Sequence, residues 1–236
     1  MSNGWKKAKI SRRQNACSCF ASWYVIEWKN KDGGNEMKVL RKSSENEMIL
    51  EFLKAEYTSV RFSEELKNVL WDFGCDRSII FSADLQDMVE NRTRKRILGA
   101  YRGYGEDREL FECFPEVYEW NLCSFSGNDI EKIRYIDYSY WNELSVGTKR
   151  PLDAVKTIRN GLRIYDVAND GFLQAAEYIK KGGTFPKLFF LTAEDEQFVI
   201  VEGHLRMTAY ALAPECFKEV EVIVGKCSSE QLERWM

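Results

Sequence analysis

The sequence predicts an α+β protein in which a mainly helical N-terminal region precedes a small mixed sheet with flanking helices. Two observations carry this. Up to about residue 128 the apolar residues recur chiefly at helical spacing, and beyond it short unbroken apolar runs alternate with helical segments. No period of roughly 20–50 residues recurs and no segment is of low complexity, which excludes solenoids and arrays. With 44% hydrophobic and 30% charged residues and four prolines among 236, the chain is too apolar for disorder. Its length suits one large domain or two small ones.

Taken in order, Cys19–Trp28 is rich in aromatic and β-branched residues and is followed, after Lys31-Asp32-Gly33-Gly34, by Met37–Leu40, the pattern of a hairpin. Glu45–Leu70 places Met48, Phe52, Leu53, Leu66 and Leu70 at helical spacing, with Ser63 as a candidate N-cap, and predicts one or two helices. Asp84–Tyr101 reads as a helix that Gly99, Gly103 and Gly105 break. Gly103–Gly127 has aromatic residues but little periodicity and reads as a connection pinned to a core. The turn chemistry of Ser126-Gly127-Asn128-Asp129 then divides the chain into residues 1–128, a hairpin plus helices, and residues 129–236.

In the second part, Tyr135–Tyr138 reads as a short strand, and Pro151 opens a helix that Asn160-Gly161 ends. A second helix spans Gly171–Lys181 before Gly182-Gly183. Strands follow at Lys187–Thr192 and Gln197–Val201 around the acidic turn Ala193–Glu196. A helix over His204–Ala213, a strand over Val220–Val224 and a short tail complete the order.

The longest uncharged stretch, Gln14–Ile26, falls short of the roughly 20 residues of a membrane span. It follows a basic start, Lys6 to Arg13, but Ser18 and Ser22 interrupt it and Trp28–Lys31 stands where a signal peptide needs small residues, so a cytoplasmic protein without membrane contact is expected. Seven cysteines, none in a CxxC pair, point to reduced thiols. A net charge of −3 supplies no long-range attraction for nucleic acid, so anion binding has to come from local clusters.

The sharpest local feature is Phe198–Val201, then Glu202-Gly203-His204-Leu205-Arg206-Met207-Thr208-Ala209. It combines a buried strand, a glycine turn and a helix start, where free backbone N–H groups and the positive helix end receive an anion. Arg206 would aim a planar donor fork at that anion, and glycine at 203 permits close approach or a positive φ. The alternative is an ordinary strand-to-helix connection with Arg206 in a salt bridge. His204, the single histidine, is a candidate phosphate donor or general base; Glu202 is a candidate proton acceptor or magnesium ligand, or a plain partner for a neighbouring cation.

Glu202–Ala209 resembles the acidic-Gly-x-x-Arg-x-x-Ala box of the ParB/sulfiredoxin-like superfamily, and its surroundings over about Tyr135–Val224 resemble that superfamily too. The resemblance implies a small mixed sheet with flanking helices over 129–236 and a pocket for CTP or ATP with Mg2+. It places Gly203, His204, Arg206 and Thr208 at the phosphate or nucleotide, and Glu202 with His204 as the catalytic pair of an NTPase or phosphotransferase. In the superfamily's sulfinate reductases a cysteine follows the box glycine, whereas His204 stands here; in its partition clamps a DNA-reading helix-turn-helix domain follows, whereas here a short tail follows Val224.

A second cluster, Arg92, Arg94, Lys95 and Arg96, precedes Tyr101 and Tyr104. Such interleaving can grip a nucleic-acid backbone and stack bases, the alternative being a nucleic-acid-binding or nuclease protein that uses the same phosphate turn, or it can be a solvated helix face balanced by Asp84, Asp87 and Glu90. Trp141–Leu144 and Arg150-Pro151 are candidates to close the pocket, or to serve as core and cap.

Overall fold

The computed structural model describes residues 37–194 and 196–236. The basic start, the strand expected over Cys19–Trp28, its turn at Lys31–Gly34 and Asp195 of the acidic turn lie outside the described residues. The elements run β1 (Lys38–Lys42), α1 (Glu45–Tyr57), α2 (Ser63–Asp72), α3 (Ser78–Phe81), α4 (Met88–Arg102), β2 (Glu119–Phe125), β3 (Ile133–Arg134), α5 (Ser139–Leu144) and α6 (Pro151–Arg159). Then come α7 (Asp170–Lys180), β4 (Leu188–Thr192), β5 (Phe198–Glu202), α8 (His204–Leu212), β6 (Val220–Lys226) and α9 (Ser229–Trp235).

The six strands form one mixed sheet in the order β1-β2-β6-β4-β5-β3. β4 pairs parallel with β6 and antiparallel with β5, β3 pairs parallel with β5, and β1, β2 and β6 pair antiparallel. Side chains alternate across a strand, so each unbroken apolar run serves two cores. Leu188 and Phe190 of β4, Phe198 and Ile200 of β5 and Val222 and Val224 of β6 pack with α6, α7 and α8. Phe189, Leu191, Val199, Val201 and Ile223 face the other way, against α1, α2 and α4. α1, α2 and α4 are thus the second cover of the sheet. β1 and β2 come from before residue 128 and pair onward into β6, so sheet and core run across the expected division. The turn itself is as expected: Ser126 and Asp129 form a capping box, and Asp129 Oδ1 also accepts the N–H of Met37 at 3.0 Å.

Several expected elements move. The connection over Gly103–Gly127 contains β2, which the lack of alternation concealed: Trp120 and Leu122 serve one core, Cys123 and Phe125 the other, and polar Asn121 is buried between them. The short strand lies at Ile133–Arg134, because at Tyr135 the backbone leaves the ladder to donate to Lys149 O at 2.7 Å. Ser63 begins α2 but does not cap it. Met37–Leu40 lies at β1, whose described partner is β2, and the short tail is α9. Among the described residues no helix is long and apolar enough to cross a membrane, and no disulfide joins the cysteines.

α4 is held by Asp87 at its start and by Gly103 at its end, where φ is 84° and an added Cβ would lie 2.0 Å from Arg108 O. Between them Arg94 is fully enclosed. It donates to Ile79 O at 3.0 Å, Asp84 O at 3.0 Å, Glu90 Oε2 at 2.8 Å and Asn91 Oδ1 at 2.6 Å, tying α4 to α3 and to the turn that precedes it. Removing a buried hydrogen-bonded charge leaves its partners unsatisfied. Arg94→Ala is therefore expected to lower the unfolding free energy by about 3 kcal/mol in urea titrations, while Arg92→Ala, on the exposed face, stays within about 0.5 kcal/mol of the parent.

Candidate functional site

β5 ends at Glu202, and the chain turns into α8 through Gly203, whose φ of 104° is a left-handed conformation that a side chain rarely adopts. A Cβ at 203 would also lie 2.4 Å from Leu188 Cδ2, so both backbone and packing require glycine. α8 has no side-chain cap, and its first helical bond runs from Met207 N to Gly203 O at 2.8 Å. The N–H groups of His204, Leu205 and Arg206 take no hydrogen bond among the described residues, leaving three donors at the positive end of the helix.

Arg206 does not join them. Its side chain turns inward, where Nη1 donates to Pro186 O at 2.9 Å and Lys187 O at 2.8 Å and Nη2 donates to Glu202 Oε1 at 2.6 Å. The residue is 9% exposed, and a guanidinium so enclosed needs these acceptors. It thus fastens the 184–187 segment to the box, and the donor fork expected to face an anion is spent inside the protein. Glu202 Oε2 remains without a hydrogen bond among the described residues.

His204 lies in an aromatic stack. Its ring is nearly parallel to that of Trp141 at 5.0 Å, and Trp141 stacks on Tyr135 at 4.7 Å. The residue as a whole is part-exposed, but Nε2 is enclosed and has no hydrogen-bond partner, as is Tyr140 Oη nearby. Burial, aided by the Arg206 charge, lowers the His204 pKa to about 3. The imidazole is neutral near pH 7, which removes the expected titration near the ordinary histidine value. Thr208 is fully buried; its hydroxyl donates to His204 O at 2.7 Å and lies 2.6 Å from Tyr135 Oη, so it ties the start of α8 to the stack. Trp141 meets the box, whereas Leu144 is core and Arg150-Pro151 starts α6.

One residue escaped the sequence reading. Glu56 of α1 is enclosed and accepts a short hydrogen bond from the Tyr101 hydroxyl. Burial, then the nearby Glu202 carboxylate, raises the Glu56 pKa, and Arg206 acts in the opposite sense. The N-terminal layer therefore reaches the box electrostatically. Its signal was present: Glu56 follows Phe52 and Leu53 on the apolar face of α1, where a carboxylate is out of place.

The basic cluster of α4 is dispersed. Arg94 is interior, whereas Arg92, Lys95 and Arg96 are exposed, Lys95 paired with Glu45 at 2.8 Å and Arg96 over the Phe73 ring at 5.2 Å. Compared with known proteins, the chain matches no family model, no characterised protein and no solved structure.

The neutral His204 has a consequence for stability. Its folded pKa lies below the ordinary value of about 6.5, so its contribution is present above pH 6.5 and is lost as the pH falls, because the unfolded chain binds a proton that the folded one refuses. Between pH 6.5 and 5 the unfolding free energy of the parent should fall relative to that of His204→Asn, with a slope difference approaching about 1.4 kcal/mol per pH unit. Urea unfolding at stepped pH reads the difference, and parallel profiles would contradict the burial of the ring.

Proposed function

We propose that this chain binds a phosphate-bearing ligand at the Gly203 turn, as the ParB/sulfiredoxin-like resemblance implies, with a nucleoside triphosphate such as CTP or ATP as the form to test first. The observation that supports it is the uncapped start of α8: three N–H donors without a partner among the described residues, behind a left-handed glycine at the end of a buried strand. Arg206 and Glu202 act as struts that hold this turn against 186–187, and the aromatic stack walls one side.

In this reading the phosphate charge is met by backbone dipoles. Neutral His204 has an N–H on one ring nitrogen and a lone pair on the other; since Nε2 is enclosed, Nδ1 is the nitrogen that would meet the ligand, without serving as a proton store near pH 7. Glu202 Oε2, which takes no hydrogen bond among the described residues, would accept a proton from a substrate hydroxyl. Magnesium, also implied by the resemblance, fits one carboxylate here if it comes with the phosphates, since that ion commonly takes one or two carboxylates and fills its other positions with phosphate and water. The nucleic-acid alternative has less to rest on, because Arg94 and Lys95 are engaged within the protein.

Leu205, 43% exposed in the first turn of α8, allows binding to be separated from folding. Leu205→Asp puts a carboxylate where the ligand's charge would sit, and a negative charge at a helix start stabilises it by about 0.3–1 kcal/mol. Equilibrium binding of CTP, ATP and GTP, with and without magnesium, should show saturation for the parent and a loss of about tenfold or more for the variant, at undiminished thermal stability. Equal affinity in the two proteins, or no nucleotide bound by the parent, would overturn the assignment.

A further inference from the structure

Away from the Gly203 turn, residues 103–117 between α4 and β2 fold back towards the start of α1 and enclose a cleft of about 510 Å3. The loop is firmly set. Gly103 lies against Arg108, whose guanidinium donates to Gly99 O at 2.7 Å and Ala100 O at 2.9 Å, closing the end of α4. One wall of the cleft is aromatic: Tyr104, Phe111 and Phe114 meet edge to face with centroids 4.8–5.8 Å apart, and Trp120 also lines it. The remaining lining carries three carboxylates, Glu45, Asp107 and Glu116, against one base, Lys95.

That base shows what the cleft accepts. Lys95 Nζ lies 5.6 Å from the centre of the Tyr104 ring and 2.8 Å from Glu45 Oε1, so a tethered ammonium already occupies a position over a π face and beside a carboxylate. The Tyr104 hydroxyl holds the same Glu45 oxygen at 2.8 Å. Lys95 answers only one of the three acids. Asp107 Oδ1 accepts the N–H of Cys113 at 2.6 Å, an uncharged donor, and the Glu116 carboxylate takes no hydrogen bond among the described residues. An aromatic wall with excess negative charge attracts a cation that has an apolar stem and repels an anion.

We propose that this cleft binds an alkylammonium or guanidinium group, provided either by a free amine or by a Lys or Arg side chain of a partner. The stem lies on Phe114 and Trp120, and the charged head takes the place beside Glu45 that Lys95 now fills. Lys95 is then a built-in competitor, and this gives the proposal a sign that a general acidic surface would not have. It is independent of the phosphate reading at Gly203.

The test titrates the full chain with n-butylguanidinium, its neutral analogue n-butylurea, butyrate and the peptide acetyl-Gly-Arg-Gly-amide. The readout is the Trp120 indole resonance, assigned by comparison with Trp120→Phe. n-Butylguanidinium should give a saturable shift, with n-butylurea about tenfold weaker and butyrate without effect. Glu45→Gln should weaken the cation about three- to tenfold, and Lys95→Met should tighten it. A peptide that binds more tightly than n-butylguanidinium assigns the site to a partner's side chain; equal affinities assign it to a free amine, and either result upholds the proposal. A parent that shows no saturable response, n-butylurea binding as well as the cation, or weaker binding by Lys95→Met would overturn it.

Discussion

Arg206 carries a full charge into a place where its side chain is nearly out of water, and the surrounding chain is arranged to satisfy it. Its partners come from two places, Glu202 at the end of β5 and the carbonyls of residues 186 and 187 ahead of β4, and it reaches both from α8. An ion pair of this kind need not add net stability, since desolvation offsets much of the attraction, but removal of either member is costly. Its effect is geometric. The guanidinium fork fixes where the chain enters β4 relative to where it leaves β5, and Gly203 lies in the corner so defined, with Leu188 packed too close for any side chain there.

The same corner depends on the layer contributed by residues before 128. β4, β5 and β6 bury apolar side chains on both faces, so a sheet covered only by α6, α7 and α8 would expose Phe189, Leu191, Val199, Val201 and Ile223. α1, α2 and α4 cover them, and in doing so bring Glu56, which accepts from the Tyr101 hydroxyl, within electrostatic reach of Glu202 and Arg206. One sheet with two cores makes the N-terminal helices part of the site's support.

How much of this was legible in the sequence follows from what each residue's partners are. β4, β5 and α8 could be read because Leu188–Leu191 and Phe198–Val201 are unbroken apolar runs, and the glycine between β5 and α8 has one obvious purpose. β2 could not, because a strand buried on both faces loses alternation, and Asn121 and Ser124 interrupt its apolar character. At the site, the sequence identified Arg206 as a donor but not its acceptors: the two carbonyls lie about twenty residues earlier in the chain, and backbone acceptors leave no mark in composition. Arg94 was obscured in the same way, since a run of basic residues does not reveal that one of them points inward.

The buried pair also sets the protonation of its neighbours, and the two halves act in opposite directions. Arg206 adds to the burial that keeps His204 neutral, because a second positive charge beside a guanidinium is unfavourable. Glu202 adds to the burial that favours the protonated form of Glu56, because a second negative charge beside a carboxylate is equally unfavourable. Each member thus suppresses further charge of its own sign, and the seam between the two helical layers carries one compensated pair flanked by a neutral imidazole and a carboxyl whose ionisation is disfavoured. A negatively charged ligand at the start of α8 would sit on the Arg206 side of that seam, near His204. Its charge would oppose the guanidinium's effect on the imidazole and raise the His204 pKa from its low value, so occupancy of the turn, in the proposed reading, would be coupled to the ionisation of the chain's single histidine through one charge.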